Sequence, residues 1–197
     1  KKCYKNKPSV DNALHLIDAL ERLGKYNETI GQIDDAKQSF VKMHQYTQRC
    51  FSRYEDNRFI RYDILSCCHL GDIADTRGKL QLAKKWYYNG LDIIENLSKE
   101  TSLLRERGGL SHIYDKLGDI YLKIGDYYEA DHYYHKRLLI FENWVKESGS
   151  VAASGELVDC YLCFEKLAST QGDYNEAKQW VQKCFNVVER IFELTRD

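Results

Sequence analysis

Proline is nearly missing from this chain of 197 residues: the sequence has one, Pro8. Beyond it nothing forbids long helices, because no other residue both removes a backbone donor and clashes with the preceding turn. An excess of either charge is missing too, since 29 Lys and Arg face 30 Asp and Glu, for a net charge of −1. No global field therefore draws the chain to nucleic acid or an anionic membrane. No apolar run approaches the roughly 18 residues needed to cross a bilayer, and no signal-peptide pattern opens the chain. The opening Lys1-Lys2, without methionine, reads as a piece of a longer protein.

Catalytic signatures are absent as well. There is no G-x-S-x-G elbow, H-E-x-x-H pair or phosphate-cradling G-x-x-x-x-G-K-[ST]. Gly108-Gly109 is expected to soften the start of a helix, not to hold a phosphate. The expectation is a protein that is not an enzyme, with no catalytic residues and no cofactor.

The seven cysteines form an odd set, and six of them (Cys50, Cys67, Cys68, Cys160, Cys163 and Cys184) fall inside helical patterns. A secreted disulfide framework would place an even number in short loops, so free thiols in a cytoplasmic setting are the better reading. Cys160-x-x-Cys163 has metal spacing but no second pair. Adjacent residues in Cys67-Cys68-His69 point about 100° apart on a helix and cannot close on one ion. Asp131, His132 and His135 read as a solvated polar face. No metal site is expected.

What the sequence does have is a period. Gly31, Gly78, Gly125 and Gly172 stand 47 residues apart, and Ala36, Ala83, Ala130 and Ala177 keep the same spacing. A third column runs Gly24, Gly71, Gly118 and then Glu165, preceded by Leu23, Leu70, Leu117 and Phe164. Four copies of one supersecondary unit explain this, and a single unit of that kind cannot bury its apolar face alone. Apolar residues recur at helical spacing on both sides of each turn glycine, as in Leu110, Ile113, Tyr114, Leu117, Tyr121 and Ile124. The pattern predicts helices over 10–29, 33–54, 58–77, 80–98, 103–124, 127–147, 152–171 and 174–195, with Ser102, Ser150 and Asp173 as N-caps. Residues 1–9 read as a tail and 10–197 as one array, with copies at about 10–56, 57–101, 102–149 and 150–197. Phe40, Tyr87 and Tyr134, with Val181 in the last copy, are expected to fill the wedge between paired helices. The tyrosine pairs 87–88, 127–128 and 133–134 could stack on single-stranded nucleic acid, but without a basic groove core packing is the better reading.

The sequence Leu117-Gly118 followed by Gly125-Asp126-Tyr127, Ala130 and Tyr134 resembles the tetratricopeptide repeat. Copies two and four carry most of the same positions, and copy one is the most divergent. Two features depart from that family: the period is 47 where about 34 is usual, and the proline that usually ends the second helix is missing. In these respects the copies are similar to the long-repeat arrays of bacterial multidomain signalling proteins.

The resemblance implies an all-α, right-handed superhelical solenoid of four antiparallel helix pairs, with first helices lining a concave groove that holds a protein or peptide. Mapped by register, that groove would present Arg58, Arg61, His69, Asp72, His112, Asp115, Lys116, Asp119, Lys123 and Lys166. The Lys and Asn pattern that clamps a C-terminal carboxylate is not met, since Glu21, Lys25, His69, His112 and Lys116 occupy the equivalent positions; no such clamp is expected. The partner is a protein or peptide, with no nucleic acid and no membrane. The alternatives are self-association through the C-terminal helix pair, which has no polar cap after it, and a structural spacer between effector domains.

Overall fold

The computed structural model describes residues 9–97 and 107–196. Among them are eight helices: α1 (Val10–Thr29), α2 (Ile33–Tyr54), α3 (Arg58–Thr76), α4 (Leu80–Leu97), α5 (Arg107–Ile124), α6 (Tyr127–Ser148), α7 (Val151–Gln171) and α8 (Tyr174–Leu194). Within each unit successive helices pair antiparallel, as the 47-residue columns predict. Described helix ends fall within about one residue of expectation. Most of the N-terminal tail, Cys3, the cap expected at Ser102 and the helix start expected at 103 lie outside the described residues. The chain forms two compact units, Lys1–Gly109 and Leu110–Asp197.

The turn glycines have one job. Gly31, Gly78, Gly125 and Gly172 all have φ between 69° and 81°, a left-handed conformation that a Cβ disfavours. Each donates its N–H three residues back, and the next residue donates five residues back, as Gln32 to Asn27 (2.8 Å) and Asp126 to Tyr121 (2.9 Å). This paired pattern satisfies the last carbonyls of the first helix. The residue after the glycine then opens the second helix. Asp126 and Asp173 accept from the backbone N–H groups of Glu129 (3.2 Å) and Glu176 (2.9 Å). Ser150 precedes α7 as expected, but its side chain makes no cap bond. Its N–H donates to Ser148 Oγ instead (3.2 Å).

The first unit centres on Ile17, Phe40, Met43, Phe59, Leu70 and Ile73, all buried. α2 packs between α1 and α3, and α4 packs on α3. At Gly109, in the first turn of α5, an added Cβ would lie 3.3 Å from Ile64, so that side chain would have to give by a few tenths of an ångström. In the second unit Ile113, Leu117, Tyr134, Phe141, Leu157 and Phe164 are buried among α5, α6 and α7, and α8 packs on α7.

The third glycine column is a steric device. A Cβ at Gly24 would sit 2.5 Å from the ring of Phe40, and one at Gly71 2.5 Å from that of Tyr87. At Gly118 it would run into Tyr134 in the same way. A glycine on the first helix thus admits a ring from the second. The fourth copy has Glu165 in this column, and the ring is gone too. Val181, expected to fill the wedge, is instead 49% exposed. With a glutamate side chain in the glycine column there is no slot for a wedge. Trp180, one residue earlier, stacks on Phe164 at 4.5 Å, and Lys183 Nζ lies 3.5 Å over the Trp180 ring.

Candidate partner-binding site

Within the second unit, three of the six expected groove residues, Asp115, Asp119 and Lys166, are paired within the chain. Asp119 accepts from the Tyr134 hydroxyl (2.9 Å) and from Lys166 Nζ (2.9 Å). Asp119 and Lys166 occupy the same column in successive copies, so the pair joins α5 to α7. Burial works to raise the Asp119 pKa, but Lys166 and the Tyr134 hydroxyl outweigh it and hold the carboxyl below its usual range. Burial, then the Asp119 charge, pushes the Tyr134 hydroxyl upward. Asp115 accepts from Arg137 Nη1 at 2.9 Å. Lys116 and His112 are half-buried on α5, and Lys123 is exposed in its last turn.

Arg137 lies on α6 among apolar residues, and nothing local in the sequence singles it out. It is buried, donates to Asp115 and to Cys163 Sγ (3.3 Å), and has Glu156 at 3.6 Å. The Cys163 thiol in turn donates to Asp115 Oδ1 at 3.4 Å. Burial pushes both Cys160 and Cys163 up to about 12, so each thiol is protonated at neutral pH. The Cys-x-x-Cys spacing therefore serves packing and a buried ion pair. The signal available in the sequence was a guanidinium at a position held by Met43 and Cys184 in other copies.

In the first unit Asp72 accepts from the Tyr87 hydroxyl at 2.7 Å, repeating the Asp119–Tyr134 bond one period earlier. The His69 ring stacks on Phe40 at 4.2 Å, nearly parallel. Arg58 is exposed but tied to Asp56 (2.8 Å) and Asp11 (3.4 Å). Arg61 is exposed on α3. The tyrosines divide as packing requires: Tyr87, Tyr133 and Tyr134 are buried, whereas Tyr128 is exposed.

The first unit also holds features that the sequence did not announce. His44, Asp63 and Cys67 form the one group of three metal-ligand side chains among the described residues, with their ligand atoms within 4.8 Å of one another. Both imidazole nitrogens are already committed. Nδ1 donates to Asp63 Oδ1 (2.6 Å), and Nε2 accepts from the Gln48 amide (3.2 Å). Thr47 donates to the same carboxylate oxygen at 3.1 Å. Cys67 is buried and its thiol pushed upward by that burial. This is a polar brace between α2 and α3, not an open ligand set. Beside it lies an open pocket of about 540 Å³, lined by Phe51, Phe59, Ile60, Asp63, Asp92 and Asn96 among others.

Comparison with known proteins bears on the same segment. The family model described as tetratricopeptide repeat matches residues 111–138, the α5–α6 pair. No curated protein matches the sequence. Among solved structures, BtubC (BKLC) from P. vanneervenii is 14% identical, over 92% of this chain and 90% of that one, with a TM-score of 0.38. A structure described as the DHF58 filament is 16% identical, over 93% and 96%, with a TM-score of 0.42. No described helix is long and apolar enough to cross a membrane. Residues 111–138 thus match the tetratricopeptide repeat, and the described residues form an all-α, tetratricopeptide-like array of helix pairs.

Proposed function

We propose that this chain is a non-catalytic scaffold that binds a protein or peptide through its first helices, as part of a larger regulatory protein in the cytoplasm. The observation that carries the reading is the tetratricopeptide repeat at residues 111–138. Tetratricopeptide repeats hold extended peptides or partner helices against their first helices, and α5 contributes half-buried and exposed cations, Lys116 and Lys123, from that side. A preformed helical face binds without first ordering a loop, which conserves affinity.

The bonds within the chain redirect the test. Asp119 and Lys166 hold the fold together, so changing them would confound binding with stability. The exposed cations Arg61 and Lys123 are the better targets. Wild-type protein and the double variant Arg61→Glu, Lys123→Glu would be used as baits, with circular dichroism confirming equal folding. A partner kept by the wild type and lost by the variant supports the reading. Equal recovery, or no partner with either bait, refutes it for these faces.

A further inference from the structure

The exposed face of α8 is the same face that α2 and α6 bury. Val181, Phe185 and Val188 fall one period after Tyr134, Leu138 and Phe141, and three periods after Phe40, His44 and Thr47. On α2 that face packs against α3: Phe40 against His69, and His44 and Thr47 against Asp63. On α6 it packs against α7, with Tyr134 near Phe164. On α8, Phe185 is 57% exposed, and Val188 and Phe192 are exposed beside it.

Among the described residues, the complementary face on α1 is exposed as well. Leu23 shares its column with Leu70 and Phe164, which are buried at those same α2–α3 and α6–α7 contacts, yet Leu23 is 49% exposed. Leu16 shares its column with Asp63 and Leu157 and is 47% exposed. Tyr26, in the column of the buried Ile73 and Leu167, is exposed as well.

We infer that α8 of one copy receives α1 of a second copy, continuing the contact that already joins α2 to α3 and α6 to α7. The register fixes which residues meet. The position of His44 against Asp63 becomes Phe185 against Leu16, and that of Phe40 or Tyr134 against the following Leu70 or Phe164 becomes Val181 against Leu23. Both are apolar pairs, so the contact gains from burial where the inner one relied on a hydrogen bond. One pair opposes it: the column that joins Asp119 to Lys166 would set Lys166 beside Lys25. Lys25 is partly neutralised by its ion pair with Glu21. Salt screens the remaining repulsion and leaves apolar burial intact, so association strengthens with ionic strength. Because the two faces differ, the contact is head-to-tail and makes chains unless the rotation closes a ring.

The test is sedimentation equilibrium on the full chain, alone and as two variants. Wild type is expected to at least double its average mass between about 1 μM and about 100 μM. Leu16→Glu spoils only the α1 face and Phe185→Glu only the α8 face. Each variant alone should remain monomeric, and an equimolar mixture should stop at a dimer, because each supplies the face the other lacks. Both sites are about half-exposed, and circular dichroism checks folding. Should either variant misfold, Leu23→Gln with Val188→Gln replaces the pair. A monomeric wild type overturns the proposal and assigns the α8 face to a different occupant. Association of Leu16→Glu alone also overturns it, in favour of symmetric α8–α8 pairing, and so does a mixture that remains monomeric. None of these outcomes depends on the first-helix binding reading, which the bait experiment tests separately.

Discussion

At the scale of single residues, small and large side chains are matched across each helix pair. Glycine at 118 costs the helix about 0.5–1 kcal/mol relative to alanine, so propensity alone favours Gly118→Ala. Sterics oppose it, because the new Cβ meets the Tyr134 ring. Overpacking of this kind typically costs about 1–3 kcal/mol, and the ring is anchored by its bond to Asp119. Gly118→Ala is therefore expected to destabilise, with a lower urea midpoint in equilibrium unfolding. The opposite sign is expected at Glu55. This residue closes α2 with φ 51°, the only non-glycine at positive φ among the described residues. Two periods later the same column holds Gly149, at φ 58°. A side chain in the left-handed region costs roughly 1–2 kcal/mol, and glycine returns part of that gain as entropy in the unfolded chain. Glu55→Gly should raise the melting temperature.

Among the elements, the eight helices are unequally held. α6 buries Ala130, Tyr133, Tyr134, Arg137, Leu138 and Phe141, whereas α8 buries only Ala177 and Cys184. Local opening follows the density of buried contacts. Amide hydrogens of α8 should exchange faster than those of α6, and the gap should narrow as protein concentration rises if α8 docks on a second copy. Hydrogen exchange read by mass spectrometry at two concentrations measures both effects. The helices were legible in the sequence because their signals are local: turn glycines, apolar spacing, and capping aspartates such as Asp173. The wedge was legible in three copies and failed in the fourth, where the expectation at Val181 extended a column of rings without weighing Glu165. The groove charges were legible as a face but not as pairs. Asp119 bonds to residues 15 and 47 positions away, and nothing local in the sequence announces either partner. The same distance concealed the His44–Asp63 brace and the acceptors of Arg137.

For the molecule as a whole, several of the charges expected along the groove are paired within the chain, and this gives stability a pH profile. The Asp119 pKa is lowered in the folded state. Its contribution is therefore complete above the ordinary aspartate value of about 4 and is lost as pH falls through the lower folded value. Lys166 resists the lowering effect of burial through Asp119, and its pKa is raised. Its share is complete below the ordinary lysine value of about 10.4 and is lost as pH rises through the higher folded value. Thermal melts from acid to alkali should show a plateau in the neutral range with a fall at each end, and Lys166→Met should flatten the alkaline fall. Arg137 adds a salt-insensitive part, because its partners sit beside a buried guanidinium. Breaking a buried pair from one side typically costs about 3–5 kcal/mol.

The loss of the ring opposite Glu165 has a genetic consequence. Glu165→Gly alone would leave a gap where no ring arrives, and Val181→Tyr alone would force a ring toward a glutamate side chain. Together the two changes recreate the third copy's arrangement. A double-mutant cycle read by urea unfolding should find both single changes harmful and the double more stable than either. Each state of this copy is then a peak separated by a valley. A lineage could pass from one to the other only by crossing it or by exchanging a whole repeat at once, and duplication of a 47-residue unit makes that exchange in a single event.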